Sequence, residues 1–315
     1  MSTVTDTLAG EYGALTERCG LVDRSERGKL ALTGGEAREF LHGQVSNDIE
    51  ALEPGQGCYA AFLTPKGKML GDLRVLNFGD ELFLDTERMS LQALFNMIRR
   101  YKLGRAVELH KRTVERGLLS LVGPDARAAA GAEALGADEH ANAASEIGGV
   151  LVRLVATAGG VDLICDAERT ADLKAALDLP EISEATAEVV RVESGRPRYG
   201  LDLDESVIPQ EAGLNERAVS FTKGCYVGQE TVARLYYRGK PNRHLRGLVL
   251  SEPAATGDLL RLGEREVGRL GSSVLSPARG PIGLAIVRRE AAPGDTVAVG
   301  DDGVTATLVE LPFQA

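Results

Sequence analysis

The sequence predicts an α+β fold that ends in a small all-β barrel or sandwich, and three observations carry that prediction. Hairpin-like strand pairs and amphipathic helices alternate as far as about residue 240. Beyond Pro241 the helical period disappears and short apolar runs are punctuated by Gly, Pro and Asp. The chain has 315 residues, 43% of them hydrophobic. That is enough for two domains, or three small ones, and for a core that needs neither disulfides nor metal.

The elements follow in chain order. Between Gly34 and Gly43, Ala37, Phe40 and Leu41 fall on one helical face, and Gly43 can serve as the C′ residue that closes the helix. Cys58–Leu63 and Met69–Phe78 flank Thr64-Pro65-Lys66-Gly67 and read as a hairpin, followed by a strand at Leu82–Leu84. Leu91, Leu94, Phe95 and Ile98 recur at i, i+3, i+4, i+7, which predicts a helix over 88–101. Leu118–Val122 is a strand, and Pro124 opens an Ala-rich helix. Gly149–Val155 and Val161–Cys165 flank a second hairpin signal, Thr157–Gly160. Helices are predicted over 167–177 and 184–193, the latter stopped at Gly195. Six strands are predicted near 244–250, 259–262, 267–274, 283–287, 296–299 and 305–311, with a domain boundary near Pro241.

Charge and cysteine usage narrow the function. With 36 Lys+Arg against 46 Asp+Glu the net charge is −10, which argues against direct nucleic-acid binding. No apolar run reaches membrane-spanning length, and the N-terminal residues lack the basic and apolar regions of a secretory signal. Cys19, Cys58, Cys165 and Cys225 are scattered singly, which predicts no metal knuckle or disulfide framework and makes the cytoplasm the expected compartment.

Four segments can carry chemistry. In Phe221–Glu230, Cys225 sits near two glycines, where backbone can turn sharply and present the thiol to a cleft; Lys223 and a helix beginning near Gln229 would favour its thiolate. Packing as a small buried hydrophobe is the alternative. From Thr231 to Ser251 there is no acidic residue, while Arg234, Arg238, Lys240, Arg243 and Arg246 are interleaved with Tyr236 and Tyr237. That run suits a small carboxylate or phosphate ligand, or else a solvated linker. Glu193, at a helix end before Gly195, can accept parallel N–H bonds from a pterin-like edge or pair with Arg191 or Arg196. Asp72 follows the first hairpin, where it either meets a ligand over the sheet or faces solvent.

The stretch Lys223-Gly224-Cys225-Tyr226-Val227-Gly228-Gln229-Glu230 resembles the signature of the YgfZ family, folate-binding proteins of iron–sulfur cluster assembly and repair related to the glycine-cleavage T-protein, an aminomethyltransferase. Leu41–Ile49, Thr64–Lys68, Arg191–Pro197 and the terminal β region also resemble family segments, so the likeness runs from about Gly20 to Leu311.

The resemblance implies a three-domain, T-protein-like cloverleaf of ferredoxin-like α/β units and a C-terminal β-barrel. The first two domains would interleave, with 1–45 and 114–219 in one, 46–113 and 220–240 in the other, and 241–315 in the barrel. It further implies tetrahydrofolate or a derivative as cofactor and iron–sulfur enzymes as partners, with an indirect effect on tRNA modification. By analogy Glu193 would contact the pterin and Asp72 the folate nitrogen. Cys225 and Lys223 would work at the rim of the folate cleft, and Tyr199, Tyr226, Arg234 and Arg238 would help hold the ligand. An active aminomethyltransferase relying on Asp72 and a non-catalytic adaptor using the basic run are the two alternatives.

Overall fold

The computed structural model describes residues 2–313. Along the chain run α1 (Ser2–Glu17), β1 (Gly20–Asp23), β2 (Gly28–Thr33), α2 (Ala37–His42), β3 (Gly57–Leu63), β4 (Met69–Asn77), β5 (Leu82–Thr86), α3 (Leu91–Tyr101) and β6 (Glu108–Lys111). Next come β7 (Arg116–Val122), α4 (Ala126–Ala129), β8 (Asn142–Ile147), β9 (Val150–Thr157), β10 (Gly160–Asp166), α5 (Thr170–Leu177) and α6 (Glu184–Glu193). The chain ends with α7 (Asn215–Ala218), α8 (Gln229–Arg238), β11 (Arg243–Leu250), β12 (Leu259–Leu262), β13 (Arg265–Ser276), β14 (Gly280–Arg288), β15 (Thr296–Val299) and β16 (Val304–Val309).

Two compact units divide these elements. The first takes Met1–Leu63, Leu70–Glu184 and Arg217–Val227. It holds two five-stranded sheets, ordered β1-β7-β10-β9-β8 and β3-β4-β5-β2-β6. Strand β5 explains how they stack. Leu82 and Leu84 point into a core with Leu94 and Ile98 of α3 and Phe40 and Leu41 of α2, while Phe83 points the other way and packs with Leu76, Leu118, Val155 and Ile164. A strand apolar on both faces needs cover on both. Helix α4, its C-cap residue Ala130 and helix α5 close the far face of the other sheet through Ala126, Ala130 and Leu173. A buried ion chain joins the sheets: Arg27 and Arg74 both bond Asp85, at 2.8 and 2.6 Å, and Arg74 reaches Asp162 at 2.5 Å.

The second unit takes Thr64–Met69, Ala185–Glu216 and Gly228–Ala315. Its centre is a closed antiparallel barrel, β11-β14-β13-β12-β15-β16. Alternate inward residues, among them Leu248, Leu260, Leu270, Val287 and Leu308, fill it. Asp202, its side chain fully buried, ties the barrel to α6: it accepts from Arg191 at 3.0 Å and from the Ser272 amide and hydroxyl at 2.7 and 2.9 Å.

The six predicted barrel strands and the first hairpin stand where the sequence placed them, within a few residues. Three expectations need correction. Residues 28–42 do not belong with the segment that continues at 114, because β2 pairs with β5 and β6; the chain passes from one sheet to the other between Asp23 and Gly28, not at residue 45. The Ala-rich helix after Pro124 is a single turn, since only its Ala126 side reaches the core before Gly131 breaks the run. Gly43 closes α2 as its C-cap, φ −73°, one position earlier than the expected C′ residue.

Candidate functional site

In the first unit the candidate groups gather around the turn that follows α2. Lys223 is buried, and its ammonium donates to three backbone carbonyls of that turn: His42, Val45 at 2.8 Å and Asn47 at 3.1 Å. It also lies 4.9 Å from the centre of the Tyr226 ring. Burial lowers its pKa to about 8, partly offset by Asp48. The expected pairing of Lys223 with the Cys225 thiolate is therefore redirected: the amine is spent on carbonyls, and among the described residues no hydrogen bond joins it to Cys225. Its charge bears on Cys58 instead, whose thiol burial pushes up to about 12. Cys225 itself is exposed, which removes the buried-hydrophobe reading. Tyr226 is buried beneath the ammonium, and burial pushes its phenol up to about 12.

The same turn reaches Asp72. Asn47 donates its amide to the carbonyls of Tyr59 at 2.8 Å and Arg217 at 3.2 Å. The Arg217 guanidinium lies 5.0 Å from the Tyr59 ring centre and pairs with Glu139 at 3.2 Å. The Tyr59 hydroxyl donates to Asp72 Oδ2 at 2.7 Å. Asp72 shares the β4 face of Arg74 and Leu76 and is 6% exposed, so it does not face solvent. Burial raises its pKa to about 6 against the lowering effect of the Tyr59 hydrogen bond. Such a carboxyl can hold or release a proton near neutral pH.

Sequence reasoning missed Tyr59, Asn47 and Arg217. Tyr59 and Asp72 stand thirteen residues apart on the two strands of one predicted hairpin, and that pairing was the signal available for them. Nothing local in the sequence links Arg217 to Tyr59.

In the second unit, Glu193 ends α6 and accepts a hydrogen bond from Ser276, a buried residue of β13. Ser276 in turn accepts the amides of Ala278 and Arg279, which fixes its oxygen. Tyr199 is buried, its backbone bridged to Leu203. The basic run splits. Arg243 binds Glu211 at 2.8 Å and Arg246 binds Glu310 at 3.3 Å, so both serve the fold. Arg234, Arg238 and Lys240 are exposed and make no ion pair among the described residues. The expected helix does begin at Gln229, as α8. Among the described residues no cluster of His, Cys, Asp and Glu could hold a metal ion, and no helix is long and apolar enough to cross a membrane.

Two five-stranded sheets in the first unit and a closed six-stranded barrel in the second make a glycine cleavage T-protein-like fold. Residues 1–149 match the GCVT N-terminal domain, and residues 243–314 match the glycine cleavage T-protein C-terminal barrel domain. The chain is similar to aminomethyltransferase T of Bartonella henselae, with a TM-score of 0.86 at 22% identity, over 97% of this chain and 89% of that one. Among curated proteins it is 28% identical to a chloroplastic candidate transferase of Arabidopsis thaliana, over 94% of this chain and 71% of the relative. It is 26% identical to the tRNA-modifying protein YgfZ of Colwellia psychrerythraea, over 85% and 84%. It is 28% identical to the aminomethyltransferase of Rubrobacter xylanophilus, over 97% and 86%. The chain belongs to the glycine cleavage T-protein (GcvT) superfamily, and within it is YgfZ-like.

Proposed function

We propose that this protein binds tetrahydrofolate or a derivative and supports the assembly or repair of iron–sulfur enzymes, acting through them on tRNA modification. The observation that carries the reading is the exposed thiol of Cys225 within the Lys223–Glu230 signature. A single accessible thiol suits transient ligation or exchange, whereas stable cluster storage usually takes four cysteines. The name of the Colwellia relative, a tRNA-modifying protein, supports the same direction.

The residues present fit a reduced pteridine. A buried carboxyl poised near neutrality beside a phenol, Asp72 with Tyr59, offers both a donor and an acceptor. Glu193, held by Ser276 at the end of α6, offers carboxylate oxygens for N–H groups. In this reading Asp72 of the first unit holds the proton that a folate nitrogen gains or loses, with Tyr226 as a supporting aromatic of that unit, and the family resemblance assigns Glu193 and Tyr199 of the second unit to the pterin. The exposed cations Arg234 and Arg238 receive the negatively charged glutamate tail. When bound, tetrahydrofolate supplies a carrier for a one-carbon unit.

Titration with tetrahydrofolate is expected to raise the melting temperature of the wild type and to raise that of Glu193→Ala much less. Equal shifts in the two proteins would remove Glu193 from the site. The sheltered, proton-ready Asp72 favours one rival reading, an active aminomethyltransferase. Glycine-cleavage turnover with tetrahydrofolate and a lipoyl carrier, abolished by Asp72→Asn and indifferent to Cys225→Ser, would establish that reading in place of ours. A non-catalytic adaptor would instead keep cluster-enzyme activity in cells with Cys225→Ser and lose it with Arg238→Glu and Lys240→Glu.

A further inference from the structure

We infer that Lys223 is a positioning residue for the Tyr59–Asp72 pair, acting through the turn after α2, and not the activator of the neighbouring Cys225 thiol. The inference deepens the reading in which Asp72 meets folate, but it rests on contacts within the first unit alone.

The turn from His42 to Asp48 is stitched on two sides. Toward β3, Ser46 and Ala61 exchange backbone and hydroxyl bonds at 2.9 Å, and the Asn47 amide holds the Tyr59 carbonyl at 2.8 Å. Toward the segment after α7, the Ser46 hydroxyl binds the Ala218 carbonyl at 2.6 Å and the Ser220 amide binds the Ser46 carbonyl at 3.0 Å. The carbonyls of His42, Val45 and Asn47 all converge on the Lys223 ammonium. An ammonium has three N–H bonds, one for each of those carbonyls. Without it, buried acceptors would be left unpaired and the turn would have to open to hydrate them. Asn47 is the link onward, because the residue whose carbonyl Lys223 grips is the one whose side chain grips Tyr59 and Arg217. Tyr59 then presents its hydroxyl to Asp72, under the Arg217 guanidinium. An arginine would not replace the lysine, since a planar fork does not match three carbonyls converging on one point.

The test reads two groups in the ligand-free protein, so its outcome does not depend on folate binding. The charged groups that act on Asp72 are Arg27, Asp85 and Glu87, and those that act on Lys223 are Asp48, Glu50 and Cys58. Asp72 is followed by the carboxyl carbon resonance against pH, and Cys225 by its alkylation rate at pH 7, in wild type, Lys223→Met, Lys223→Arg and Asn47→Ala. Lys223→Met and Asn47→Ala are each expected to move the Asp72 titration by about half a pH unit or more. Cys225 alkylation should stay within about twofold of wild type. Lys223→Arg should not restore the wild-type Asp72 curve. Should Lys223→Met fail to fold, Asn47→Ala, which leaves the amine in place, decides the matter alone. An unmoved Asp72 titration in Asn47→Ala overturns the inference. So does alkylation slowed fivefold or more in Lys223→Met with the Asp72 curve unchanged, which would return Lys223 to the thiol.

Discussion

Two buried titratable residues of the first unit pull its pH dependence in opposite directions. Burial raises the Asp72 pKa to about 6, so between pH 6 and its ordinary value the native state binds more protons than the unfolded chain. Stability from this group therefore rises as pH falls through that window. Burial, aided by the charge of Arg74, lowers the His140 pKa to about 4 from 6.5. Its native state binds fewer protons over nearly the same window, and stability falls with falling pH. Each shift corresponds to about 3 kcal/mol, and the two nearly cancel. Asp72→Asn is expected to stabilise the protein at pH 7 by about 2–3 kcal/mol and to leave His140 unopposed. Urea unfolding at pH 7 and 4.5 checks it: the variant should lose stability steeply on acidification where the wild type stays level. Parallel curves would mean that Asp72 ionises as it does in the unfolded chain. Of this, the sequence displayed Asp72 as a candidate, but its burial and its phenol partner come only from strand pairing.

At the scale of elements, the inter-sheet layer bears the most leverage. Phe83 is fully buried, stacks on Phe78 with ring centres 5.1 Å apart, and packs between the two sheets. Phe83→Ala is expected to cost about 3–5 kcal/mol, read as a lowered urea midpoint. A loss below about 1 kcal/mol would mean that the layer collapses to fill the void. The predicted amphipathic helix over 88–101 stands as α3, with Leu94 and Ile98 buried, because its apolar period was complete. Strands β2 and β6 escaped notice. Both are short, and β6 carries Glu108, His110 and Lys111, which give no alternating apolar signal. Lys29 in β2, wholly buried with its amine on the carbonyls of Ser25 and Arg27, broke the pattern of that strand.

Over the whole chain, acidity governs which partners are admitted. A net charge of −10 repels polyanions, and of the five cations in the basic run two are already paired with Glu211 and Glu310. The protein is expected to pass unretained through immobilised heparin at about physiological ionic strength. Retention that Arg234→Ala with Arg238→Ala abolishes would instead point to a polyanion site on α8. The segments Thr64–Met69, Ala185–Glu216 and Gly228–Ala315 make up one unit although the other unit's segments separate them in sequence. No composition shift marks those crossings. They are set by which strand finds which edge.

The sequence by itself determined the α+β class, the six short strands of the terminal domain and the signature that betrays the family, because periodicity, turn residues and a contiguous motif are local properties. Tertiary structure alone decided that β2 joins the second sheet and that Asp72 is sheltered beneath Tyr59. It also decided that the Lys223 amine faces carbonyls some 180 residues away while Cys225 faces solvent. The reason is physical: a side chain's charge state and its partner depend on burial and on neighbours remote in sequence, and neither is written in the residues beside it.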